Sequence, residues 1–155
     1  MRKTFAFLSC FLFLSLLYTS WIMAQDHATK EECVAKCKEA AALIKDIGLE
    51  AALPKLQDPK GQFVWKDSYV YVQDLEGKML AHPMVPALVG KNSSGLKDVN
   101  GFNFTAAIVT LANEKGEGWI EYMWPKPGEK TPSQKVAFVY RVPGEKIIVC
   151  AGIYE

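Results

Sequence analysis

The residues able to do chemistry are few, and they are unevenly placed. The stretch from 117 to 135 reads EGWIEYMWPKPGEKTPSQK, with two tryptophans and a tyrosine within six residues ahead of a loop rich in Pro and Lys. The chain has two histidines, His27 and His82, and four cysteines, of which Cys33, Cys37 and Cys150 lie beyond the first 24 residues. These types in this pattern give little support to catalysis. There is no G-x-S-x-G elbow with partners in order, no phosphate-cradling glycine loop and no metal-ligand cluster. They suit binding better, because Tyr and Trp combine a large apolar body with a polar handle and favour cavities that are part apolar and part wet.

Cys33 and Cys37 stand at i and i+4, on neighbouring turns of one helical face. That spacing leaves their Cα atoms roughly 6 Å apart, inside the disulfide range, although parallel Cβ vectors strain such a bond. A local or intermolecular disulfide is therefore expected ahead of buried free thiols. A metal site with His27 fits no common zinc spacing, and the haem attachment pattern C-x-x-C-H is absent. Cys150 is expected in the core.

The elements that must position these groups follow from the rest of the chain. Met1-Arg2-Lys3 is basic, residues 4–18 are almost wholly apolar, and Ala24 precedes Gln25. This is the pattern of a signal peptide over 1–24, cleaved after Ala24, with residues 25–155 as one periplasmic or secreted domain. The competing reading is an uncleaved segment that anchors the chain in the membrane, since 4–24 is about long enough to span when tilted. Without Arg2 and Lys3 the 18 basic residues fall to 16 against 17 acidic ones, and Arg141 is the only arginine left. A near-neutral surface excludes the electrostatic footprint of a nucleic-acid binder and a polybasic lipid patch.

Thr29 followed by Glu32 predicts a capping box and a helix over about 30–47, with Val34, Cys37, Ala41 and Ile44 on one face. Gly48 is its expected C-cap, and a shorter helix or turn pair follows over 49–57. Strands are expected at 68–73, 79–82, 119–124, 136–142 and 146–154. Asn103 caps a second clear helix over 104–114. Between them, residues 83–101 form a long segment without strong period, of the kind that is usually functional or a lid. Mostly consecutive strands imply an antiparallel sheet with helices on one face. Strand alternation puts Tyr69, Tyr71 and Gln73 on one face, and Ile120, Tyr122 and Trp124 likewise together. One sheet face should then be aliphatic, to suit the first helix, and the other richer in Tyr and Trp.

YVYVQDLEGKMLAHP, GKNSSGLKDVNG, GEGWIEYMWPKP, QKVAFVYRVP and IIVCAGIY closely resemble the single Cache domain of the second type, an extracytoplasmic sensor module of bacterial chemoreceptors and sensor kinases that also occurs as free secreted proteins. The resemblance covers about residues 30–155. Its most specific parts are AHP at 81–83, G-W-x-x-Y-x-W-P at 118–125 and GIY at 152–154. It implies an α+β, PAS-like fold: a central antiparallel sheet of about five strands, a long N-terminal helix behind it, and a loop and helix covering the ligand face. It implies a small organic acid, such as a short carboxylate, as ligand, no cofactor and no enzymatic activity. The pocket it implies draws on Tyr71, His82, Tyr122, Trp124, Lys135 and Tyr140. Lys135 would pair with the anion, His82 would donate to it or report pH, and Tyr122 and Trp124 would enclose it. Related sensors often use an arginine; here parity puts Arg141 on the face opposite Tyr140, so Lys135 must act as a point charge without a bidentate fork. Output would pass to a membrane receptor or sensor kinase, or the chain would simply bind solute. The competing reading is a structural or interaction module whose cavity is filled by its own side chains.

Overall fold

Thr29 closes the N-terminus of the first helix as its spacing predicts. In a computed structural model, which describes residues 27–155, the Thr29 hydroxyl accepts from the Glu32 amide at 3.2 Å and the Glu32 carboxylate accepts from the Thr29 amide at 2.9 Å. Helix α1 (Lys30–Ile47) runs from that cap to Gly48, whose φ of 82° turns the chain into α2 (Leu49–Gln57). The expected signal peptide over 1–24 lies outside the described residues. Among the described residues no helix is long and apolar enough to cross a membrane.

The strands are β1 (Val64–Trp65), β2 (Ser68–Asp74), β3 (Met79–Ala81), β4 (Glu117–Pro125), β5 (Pro132–Arg141) and β6 (Ile147–Tyr154). All pairings are antiparallel, in the order β1-β2-β6-β5-β4, with β3 also on β2. The sheet thus has one strand more than expected, because a two-residue strand is too short to show a period. The second expected strand stops before His82, whose amide donates to the Gln57 side chain at 2.7 Å, and Pro83 has no amide to continue the ladder. A 3₁₀ turn (Pro86–Leu88) and α3 (Phe104–Glu114) complete the fold.

The last strand pairs between β2 and β5, so the centre of the sheet joins parts of the chain far apart in sequence. Its two faces bury different side chains. Cys33, Cys37, Ala40, Ala41 and Ile44 of α1 pack on Val70, Val72, Val149 and Ala151. Tyr69, Tyr71, Tyr122, Ile148 and Cys150 face the other way, toward α3 and the long segment. The α1 face is not purely aliphatic, since Phe138, Tyr140 and Phe63 belong to it.

The disulfide expected between Cys33 and Cys37 is not formed: both thiols are free and buried, as is that of Cys150. On a helix, Cα–Cβ bonds one turn apart point the same way, so both sulfurs aim into the sheet and not at each other. Cys33 Sγ instead sits 3.9 Å from the Ser68 hydroxyl. Burial, the largest influence on each, pushes Cys33 up to about 11 and Cys150 up to about 12.

Candidate functional site

The segment after β3 is a strap across the sheet. It starts stitched to β3, where Met79 donates to the Lys91 carbonyl at 2.9 Å and Gly90 donates to the Met79 carbonyl at 2.8 Å. It ends at the opposite edge, where Asp98 accepts from the Asn100 and Phe102 amides and, at 3.0 Å, from the Met123 amide of the outermost strand β4. Asp98 therefore fixes a turn and also fastens that turn beside Tyr122 and Trp124. Asn103 caps α3 by accepting from Ala106 at 3.0 Å, which seats Phe104 over the sheet.

Under the strap and α3 lies a small, partly enclosed space lined by Tyr71, Met79, His82, Leu88, Leu96, Phe104, Tyr122 and Trp124, with a volume of about 10 Å³. That is room for about one water molecule. Phe104 stacks on Tyr122 with 4.3 Å between centroids and an interplanar angle of 4°, and Trp124 meets Phe104 edge-on at 5.6 Å. Of the expected site residues, Tyr71, His82, Tyr122 and Trp124 are thus brought together.

Lys135 lies next to them and is fully buried. Its Nζ makes no hydrogen bond and no ion pair among the described residues. Instead it sits 4.0 Å from the ring centroid of Tyr69, 5.0 Å from Tyr154 and 5.5 Å from Tyr71. Cation–π attraction in a desolvated site is worth about 2 kcal/mol. The penalty for burying an ammonium without a partner is several kcal/mol, so the rings offset only part of it.

His82 presents a defined donor. Its Nδ1 accepts from the Val85 amide at 3.0 Å, which leaves the proton of the neutral ring on Nε2. Burial first, and the positive charge of Lys135 second, push its pKa down to about 3. The ring stacks on Tyr71 at 5.6 Å, and Gln57 holds its backbone at both ends, donating to the carbonyl at 3.1 Å and accepting from the amide. The Tyr71 and Tyr122 hydroxyls are 3.1 Å apart. Burial raises both above the ordinary tyrosine value, so both keep their protons, and one bond between them leaves one O–H free to donate elsewhere.

Tyr140 is the exception among the expected residues. It stands five positions from Lys135 on β5, and an odd separation puts it on the opposite face. There it stacks on Phe138 at 6.3 Å, with Lys38 Nζ 5.8 Å from its ring. Arg141 is also away from the space, donating to the Asn113 side chain at 3.3 Å in an exposed position. Sequence reasoning missed Tyr69, Tyr154 and Phe104. Parity with Tyr71 was enough to place Tyr69; Tyr154 and Phe104 are set beside the site by long-range pairing and by the strap.

A sheet with a long helix behind it and a strapped aromatic hollow in front is the architecture of PAS-like sensor domains. Residues 23–155 match the family described as Single Cache domain 2, and the chain belongs to that family. It is 33% identical over 88 residues to the methyl-accepting chemotaxis protein McpP of Pseudomonas putida, a match covering 57% of this chain and 16% of that one. It is 30% identical over 89 residues to the sensor histidine kinase MctS of Rhizobium johnstonii, covering 57% and 19%. The chain therefore aligns with under a fifth of either relative's length. A solved Cache chemosensory domain, described as recognising carboxylic acids, is 31% identical with a TM-score of 0.62, covering 78% of this chain and 82% of that one.

Proposed function

We propose that this protein is an extracytoplasmic binding domain for a short organic acid, held as its carboxylate between Lys135, His82 Nε2 and the Tyr71–Tyr122 hydroxyl pair. The observation that carries this reading is the Lys135 ammonium: fully buried, without a hydrogen-bond partner among the described residues, and set in a cage of tyrosine rings. A carboxylate beside it would complete a charge-assisted pair out of bulk water. The neutral His82 ring and one free tyrosine O–H supply donors for the remaining lone pairs. Recognition of carboxylic acids by a related Cache domain supports the same ligand class. The role we propose is binding, in keeping with the chemoreceptor and sensor-kinase relatives. The relatives are a chemoreceptor and a sensor kinase, which supports a signalling output through a membrane partner, with solute binding alone as the simpler form. The location we propose is the periplasm or the exterior, reached by the segment over 1–24.

The hollow is nearly filled in this state, so entry of even a two-carbon acid requires Phe104, Leu88 or Leu96 to move with the strap. That same observation favours a second reading, a structural module whose cavity is occupied by its own side chains. A thermal-shift screen of acetate, propionate, lactate and pyruvate against the matching amides separates the two. Stabilisation by at least one acid and by no amide is expected; a flat response across all the acids would leave the structural module standing.

A further inference from the structure

Lys135 starts on β5 and its ammonium ends beside Tyr69 and Tyr71 of β2, although β6 lies between these strands. The side chain must therefore cross β6 on the pocket face. It does so at Gly152. A Cβ built on Gly152 would stand 2.8 Å from Lys135 Cε, closer than real Cβ contacts come. By alternation Gly152 shares its face with Ile148 and Cys150, both of which turn toward α3 and the strap. Backbone conformation does not account for a glycine here, because its φ is outside the left-handed region. Glycine inside a strand weakens it and commonly marks a place where another group must approach closely.

We propose that Gly152 is a positioning residue of the pocket: its missing side chain is the gap through which the Lys135 stem crosses β6, and so sets where the ammonium stands. The consequence for ligand affinity rests on the carboxylate reading above; the placement of the ammonium does not. Two further atoms crowd the same spot, the Val136 carbonyl oxygen at 2.9 Å and Ala137 Cα at 3.0 Å. A test must therefore separate the lysine from the backbone.

The direct test is acylation of the folded protein with an N-hydroxysuccinimide acetate, read by peptide mass spectrometry, with exposed Lys130 as internal reference. In the wild type Lys135 is expected to react at least tenfold more slowly than Lys130. In Gly152→Ala it should come within about threefold, while the thiols of Cys33, Cys37 and Cys150 stay protected and report an intact core. Lys135 remaining as protected in the folded variant as in the wild type overturns the proposal. If Gly152→Ala does not fold, the double variant Gly152→Ala/Lys135→Ala decides. Recovered cooperative unfolding identifies the lysine stem as the reason for the glycine, and continued failure assigns it to the backbone and overturns the proposal. Calorimetric titration with sodium propionate forms the second arm, with at least tenfold weaker binding expected in Gly152→Ala. Unchanged affinity in that variant would defeat the proposal. A wild type that binds no acid, with the acylation pattern moved as expected, upholds Gly152 as the determinant of the ammonium's place and removes only the carboxylate reading.

Discussion

The ammonium of Lys135 lies 4.0 Å from the ring centroid of Tyr69, with no hydrogen-bond partner among the described residues. A cation in that position is poorly compensated by its protein neighbours and well placed for an anion. Replacing even a buried ion pair by well-packed apolar side chains is often neutral or stabilising, by about 1–4 kcal/mol, and an ammonium without an anionic partner gives up less Coulomb energy still. Lys135→Met should therefore raise the unfolding midpoint of the ligand-free protein while abolishing the acid-induced shift. Urea denaturation with and without propionate checks both halves. A variant less stable than wild type, or one that still responds to the acid, contradicts this view of Lys135.

His82 titrates at about 3 in the fold against an ordinary value of 6.5. The unfolded chain takes up a proton first as pH falls through 6.5, so stability declines from there down to about pH 3 and is constant in this respect below it. The loss from this one group is about 2 kcal/mol at pH 5. Denaturation of wild type and His82→Gln at pH 7 and pH 5 measures it, and the variant should lose that share of the slope.

Phe104 roofs the hollow by stacking on Tyr122. Phe104→Ala removes a buried ring at a cost of about 3–5 kcal/mol and opens room for longer acids. Thermal shifts for butyrate and valerate should appear in the variant and not in the wild type. No widening of ligand range would mean that Phe104 is not what limits ligand size.

Asp98 ties the strap to the outermost strand through the Met123 amide. Asp98→Ala should speed hydrogen exchange at Met123, Asn100 and Phe102 and leave the amides of α1 unaffected. Acid release should quicken for the same reason. Exchange rates at Met123 that match the wild type would show that the strap is held by other contacts.

Burial keeps the Cys33, Cys37 and Cys150 thiols protonated and out of reach. A disulfide reagent such as dithionitrobenzoate should find none of these three in the native protein and all three after guanidinium unfolding. Fewer than three from residues 33–150 after unfolding would restore the bond that the spacing of Cys33 and Cys37 suggested.

Local rules, acting within a few residues, made much of the fold legible. The Thr29–Glu32 capping box and Gly48 bound α1 where the spacing put them, and Asn103 begins α3 as expected. Alternation along each strand sorted Tyr69 and Tyr71 from Val70 and Val72, and the structure keeps that division. The same rule separates Tyr140 from Lys135, and it prevails over the resemblance that grouped them.

The sequence by itself thus determined the bounds of α1 and α3, the face that residues of the expected strands take and the membership of the family, because capping, period and motif are properties of neighbours in the chain. Tertiary structure alone decided that β6 enters between β2 and β5, that Lys135 crosses it at Gly152 to reach the tyrosines, and that the strap closes over the hollow. Strand order depends on which distant segments meet, and the end point of a long flexible side chain depends on the gap left for it by another strand. Neither is written in the residues beside it.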